Sequence, residues 1–150
     1  MALKRKTLFY YGLTDLPVTM SLFPALVFLP KFYTSDMAIP IALVGAIMFA
    51  IRISDVATDP LFGYITDRFP TPWGRRRFWV ALSTPIMMLS VYRLFMPPEG
   101  AGAWHMGIWM FTMSISTTMM LIPYYAWAAE LSPDYNERST ITGVRLMMGV

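Results

Sequence analysis

The sequence contains no cysteine and a single histidine, His105. A disulfide framework and a thiolate metal site are therefore excluded, and one imidazole cannot build a histidine-rich centre. Charge is scarce as well. Asp, Glu, Lys and Arg make up 14% of the 150 residues, against about 25% in soluble domains. Hydrophobic residues make up 56% and aromatics 15%. Long uncharged runs in such a chain point to a bilayer rather than to a small soluble helical core. The net charge of +3 is no nucleic-acid footprint, because topology accounts for the positions of the basic residues.

The apolar runs predict an all-α, polytopic membrane protein with four full helices and the start of a fifth. The first is expected from about Phe9 to Pro30 and the second from Ile39 to Ile65. The third covers Phe78 to Met96, where Pro97-Pro98 closes it because proline cannot continue a helix. The fourth, Met106 to Ala129, holds 24 residues without a charge, enough to cross a hydrocarbon core of about 30 Å. A fifth is expected to begin near Thr140. Lys4-Arg5-Lys6 would suit a secretory leader, but Asp15 and Pro17 interrupt its apolar core, so the first helix reads as retained.

Lys4, Arg5, Lys6, Arg68, Arg75, Arg76, Arg77 and Arg138 fall on one side of this arrangement, and only Lys31 and Arg93 on the other. The positive-inside rule then puts the N-terminus and the 2–3 and 4–5 loops in the cytoplasm. The expected location is a plasma membrane, the inner one in a bacterium. Four and a half spans make a poor closed pathway. Residues 1–150 are thus expected to form the N-terminal transmembrane part of a longer transporter, cut within helix 5 and completed by a C-terminal half. No internal repeat of 20–50 residues is apparent.

The run Arg52-Ile-Ser-Asp55-Val-Ala-Thr-Asp59-Pro60-Leu-Phe-Gly63 follows thirteen uncharged residues, Ile39 to Ile51. Arg52, Asp55 and Asp59 share one helical face. Three charges facing lipid would cost about 8–10 kcal/mol at roughly 2.5–3.5 each, while strongly apolar residues return only about 0.3–0.6 each. This face must line a protein interior or a water-filled cavity. The two carboxylates, with Cβ atoms about 5–6 Å apart, can converge on one small cation and should titrate as a coupled unit. Arg52 offsets one negative charge, leaving about one for Na⁺ or H⁺. No other cofactor is expected. Pro60 cannot donate to the Val56 carbonyl and so frees an oxygen beside the pair. The alternative is a buried Arg–Asp network that fixes helix packing.

Asp15, with Pro17 and Pro24 beyond it, suits a kinked helix lining a cavity or an acid solvated at the membrane interface. Helix 4 carries Thr112, Ser114, Ser116, Thr117 and Thr118. Such hydroxyls usually bond back to the preceding turn or to a neighbouring helix, so most are expected to be structural. The aromatics around Tyr125 suit a sugar-stacking platform or an interfacial belt. Fourteen methionines read as packing. In the loop from Gly63 to Arg77, glycine would allow close helix approach. Asp67, Arg68 and the arginines can pair with charges on neighbouring helices in one transport state, or serve as a topology signal alone. An enzyme is the remaining alternative, because Asp-x3-Asp-x3-Gly-x3-Asp is similar to the CDP-alcohol phosphotransferases. Their Asp-Gly followed by Ala-Arg is absent, and Thr71 stands where their last aspartate belongs, so no enzyme is expected.

The run Arg52 to Gly63, the Asp67-Arg68 to Arg75-Arg76-Arg77 loop, and Glu130-Leu-Ser-Pro-Asp134-Tyr-Asn-Glu137-Arg138 together resemble the glycoside–pentoside–hexuronide:cation symporters. That family is a branch of the major facilitator superfamily, and the resemblance extends from Asp15 to Arg145. It implies a twelve-helix cation-coupled symporter of a sugar, glycoside or uronate. It further implies cation-binding roles for Asp55, Asp59 and Thr118, and substrate-binding roles for Asp15, Tyr125 and Arg145. Charge balance and gating would fall to Arg52, Asp67, Arg68, Arg75, Glu130 and Arg138. One departure is Leu121, which stands where the melibiose-transporting members have a second sugar-binding aspartate. Lysolipid and sphingolipid transporters are similar to this family, so an amphipathic substrate is the alternative expectation.

Overall fold

The structure, a computed structural model, describes residues 15–69, 74 and 76–131, with positions 142, 143 and 147 beyond them. Four helices account for most of these residues: α1 (Asp15–Ser35), α2 (Ile41–Arg68), α3 (Arg77–Phe95) and α4 (Ala103–Leu131). Positions 142, 143 and 147 are helical and fall in the segment where a fifth helix is expected. By length and composition α2, α3 and the Ala103–Trp127 part of α4 can each cross a membrane. At a rise of 1.5 Å per residue α2 is about 42 Å long. That exceeds a hydrocarbon core of about 30 Å, so its ends reach the headgroups.

Every helix contains proline: Pro24 and Pro30 in α1, Pro60 in α2, Pro85 in α3 and Pro123 in α4. The expected end of the first helix at Pro30 is therefore corrected, since α1 continues to Ser35. Proline removes one backbone donor, whereas ending the helix inside an apolar medium would leave a whole turn unpaired. Thr34 Oγ1 donates to the Pro30 carbonyl at 2.7 Å within the turn that continues past the proline. The other ends shift less. α2 starts at Ile41 rather than Ile39 because Pro40 caps it, its carbonyl accepting from Leu43 and Val44 N–H at 2.9 and 3.1 Å. α4 starts at Ala103 rather than Met106. The preceding turn closes with Ala101 N–H donating to Pro98 O at 3.0 Å, and Gly100 sits at φ +78°, a conformation that costs glycine nothing sterically.

α4 is the hub. It packs along both α3 and α2, while α1 makes lighter contact with α2 and α3. All four helices supply the main core: Ala25, Leu29 and Tyr33 from α1, Val44 from α2, Leu94 from α3, Met106 and Met113 from α4. Tyr33 Oη donates to the Leu94 carbonyl at 3.1 Å, which brings the C-terminal ends of α1 and α3 to the same side. α2 and α4 run parallel to each other. A Cβ built on Gly107 would lie 3.8 Å from Ile47 Cγ2, and one on Gly63 would lie 3.9 Å from Ile122 Cγ2. Both are ordinary contact distances, so close approach at Gly63 does not by itself demand glycine.

Candidate functional site

The contact positions on α2 and α4 keep nearly the same offset along the seam. Ile47 meets Gly107, Asp55 meets Ser114, Asp59 meets Thr118 and Gly63 meets Ile122. Steps of four and eight residues on one helix match steps of four or close to eight on the other. That is what two parallel helices with fixed facing sides produce. The consequence is a pair of polar rungs one turn apart. Ser114 Oγ donates to Asp55 Oδ1 at 2.6 Å, and Thr118 Oγ1 donates to Asp59 Oδ1 at 2.8 Å. Hydrogen bonds to charged groups contribute about 1.5–3 kcal/mol each, which offsets part of the cost of holding carboxylates away from bulk water.

The second oxygen of Asp55 is engaged differently. Arg52 Nη1 lies 3.5 Å from Asp55 Oδ2, at the edge of hydrogen-bond range, and its side chain is 68% exposed against 17% for Asp55. Arg52 thus acts through a partly solvated gap rather than through a tight fork. All three charged residues border a cleft of about 670 Å³ between α1, α2 and α4, a size that accommodates a small organic ligand. Thr118, Leu121 and Tyr125 line the same cleft, as do Phe23 and Leu26 of α1. Tyr125 is exposed, with its ring 5.7 Å from that of buried Tyr124. Ile51 also lines a second crevice of about 640 Å³, bordered by Leu43, Ile47, Trp104 and Phe111.

The hydroxyls of α4 divide by phase. Thr112 bonds back to the Ile108 carbonyl, and Ser116 and Thr117 to that of Met113. Ser114 and Thr118 instead cross to α2. Of the two arrangements expected for such hydroxyls, Ser114 takes the bond to a neighbouring helix, and with Thr118 it forms an i, i+4 pair that mirrors Asp55 and Asp59. That matching spacing is the signal by which the sequence could have revealed it.

At the far end of α2, Arg68 donates to the Tyr64 hydroxyl and lies 5.4 Å from the centre of that ring, while Asp67 is exposed. Two arginines of the following turn reach α4. Arg76 Nη1 donates to the Pro123 carbonyl at 3.4 Å, and the Arg77 guanidinium lies 5.7 Å from the Trp127 ring. Arg75 and Arg138, expected at the gate, and Arg145, expected at the substrate, lie outside the described residues. Asp15 and Glu130 are described as helical backbone only.

A family model described as MFS/sugar transport protein matches residues 10–150. Among individual proteins, the chain is 27% identical over 146 residues to the isoprimeverose transporter of Lactiplantibacillus pentosus, covering 94% of this chain and 30% of that protein. It is 28% identical over 131 residues to the sodium-dependent lysophosphatidylcholine symporter 1-B of Danio rerio, covering 84% and 25%. It is 25% identical over 141 residues to the inner membrane symporter YicJ of Escherichia coli strain K12, covering 92% and 31%. The chain thus spans between 25% and 31% of the length of these relatives.

Proposed function

Because this chain belongs to the MFS/sugar transport family, we propose that it forms part of a cation-coupled symporter of a sugar, glycoside or uronate working by alternating access. The observation that carries the reading is the pair of carboxylate–hydroxyl rungs bordering one cleft with Leu121 and Tyr125. In it, Asp55, Asp59 and Thr118 hold the coupling ion, Na⁺ or H⁺. The substrate meets Tyr125 in the same cleft, with Asp15 and Arg145 as further contacts. Arg52 balances one carboxylate. Asp67, Arg68, Arg75, Glu130 and Arg138 act at the cytoplasmic gate, and a C-terminal half of the same transporter closes the pathway. A cation bound between the carboxylates favours the substrate-binding state, and linkage makes that coupling reciprocal.

A second reading is transport of a lysolipid or another amphipathic molecule. Two observations favour it. Leu121 places an apolar side chain on the charged cleft, and Ile51 separates that cleft from an adjoining crevice lined mainly by apolar residues. Such a pairing suits a polar head joined to a hydrocarbon tail. Counterflow in proteoliposomes of the full-length protein decides between them, using a labelled galactoside, xyloside and uronate beside labelled lysophosphatidylcholine. A sodium or proton gradient that drives accumulation of a sugar supports the first reading, and one that drives the lysolipid supports the second. Uptake of every substrate without response to either gradient would remove the coupling claim.

A further inference from the structure

Asp55 has two competing partners, and they pull its carboxylate in different directions. On its own helix Arg52 approaches Oδ2 at 3.5 Å; across the seam Ser114 holds Oδ1 at 2.6 Å. An arginine three residues away can take both carboxylate oxygens in a fork when nothing else restrains them. A carboxylate gripped that way has its charge spent on a fixed guanidinium and offers little to a mobile cation. The short bond from Ser114 anchors Oδ1 across the seam, and Arg52 approaches Oδ2 alone.

We infer that Ser114 is a positioning residue of the proposed cation site, holding Asp55 out of a closed pair with Arg52 so that Asp55 and Asp59 together accept a sodium ion. The inference rests on the proposed function and extends it by one residue and by the choice of ion. A proton is held by a single carboxylate oxygen. A hard metal cation needs several oxygens at once. The two rungs supply them from both carboxylates. Each hydroxyl also has lone pairs free to face an ion while it donates to its carboxylate.

The repeat of the rung argues that the arrangement is built rather than incidental. Ser114 stands to Asp55 as Thr118 stands to Asp59, with the same separation of 59 positions. The other hydroxyls nearby on α4, at Thr112, Ser116 and Thr117, are turned back onto their own helix. Only the two that face the carboxylates leave their own backbone unserved.

The test is calorimetric titration of the purified full-length transporter with NaCl, using choline chloride as the blank, so that no substrate need be known. Ser114→Ala should weaken sodium binding about tenfold, the low end for losing a hydrogen bond to a charged group, and Ser114→Thr should restore it. Ser114→Cys keeps the volume while weakening the donor, and covers the case in which the alanine protein is not recovered. Arg52→Gln combined with Ser114→Ala should regain most of the loss, because the competing fork is gone, which a merely structural role for Ser114 would not produce. Sodium binding within twofold of the parent in both the alanine and cysteine variants overturns the inference, provided that Asp55→Asn abolishes binding. If Asp55→Asn and Asp59→Asn both bind sodium as the parent does, the cation-site reading falls with it. A parent that binds no sodium also overturns the inference, and leaves proton coupling as the surviving form of the proposed function.

Discussion

Leu121 and Tyr125 are one turn apart on α4 and share the wall of the charged cleft. An apolar side chain there accepts no hydrogen bond, so a sugar hydroxyl brought against it would lose its water and gain nothing. Leu121→Asp in the full-length protein should therefore raise affinity for a galactoside relative to lysophosphatidylcholine by roughly tenfold, while sodium binding stays within about twofold. Calorimetry with both ligands, with and without NaCl, makes the measurement. An unchanged ligand ranking in a mutant that still binds the cation would place residue 121 outside substrate contact. The carboxylates were legible in the sequence for an energetic reason: three charges inside an apolar run have to face something other than lipid. Ser114 was not, because a helical hydroxyl can serve its own backbone or a neighbour equally well. Only the rotation of α4 against α2 decides between those, and that rotation is a property of packing.

At the scale of the helices, the sequence conveyed existence better than ends. Predominantly apolar runs long enough to cross a bilayer admit few alternatives, which is why α2, α3 and α4 could be placed. Pro30 misled, because proline ends helices most readily where water can serve the freed backbone, and α1 instead runs on to Ser35. Gly63 misled differently, since the sequence suggested close contact but the seam leaves room for a methyl group, 3.9 Å from Ile122 Cγ2. Glycine in a helix interior costs about 0.5–1 kcal/mol relative to alanine. Gly63→Ala should therefore stabilise the folded transporter by up to about that amount, seen as a higher Tm in detergent, and Gly63→Leu should lower it by forcing the seam apart. A lower Tm for Gly63→Ala would mean that the α2–α4 seam is tighter than the contact distances imply.

Apart from Arg52, Asp55 and Asp59, the described helices carry their charge at two ends of different character. The Tyr33–Leu94 bond joins the C-terminal ends of α1 and α3, so Lys31 and Arg93 share one end of the bundle. There the Arg93 guanidinium lies 5.7 Å from the Trp109 ring, and the Arg93 carbonyl accepts from His105 Nε2 at 2.9 Å. Asp36 and Glu99 lie in the two turns at this end, so its basic charge is matched by acid. At the opposite end Arg76 and Arg77 reach the last turns of α4, and Arg68 closes α2. We propose, on the positive-inside rule, that the arginine-rich end faces the cytoplasm. The absence of cysteine in this chain makes the orientation easy to measure by placing single cysteines in the two kinds of turn. Glu99→Cys should react with a membrane-impermeant maleimide in intact cells, and Phe69→Cys, at the exposed end of α2, only after the membrane is opened. Labelling in the reverse order would invert the bundle. The Arg76–Pro123 and Arg77–Trp127 contacts would then sit at the outer face, and a gate at that end would open first to the outside of the cell rather than to the cytoplasm.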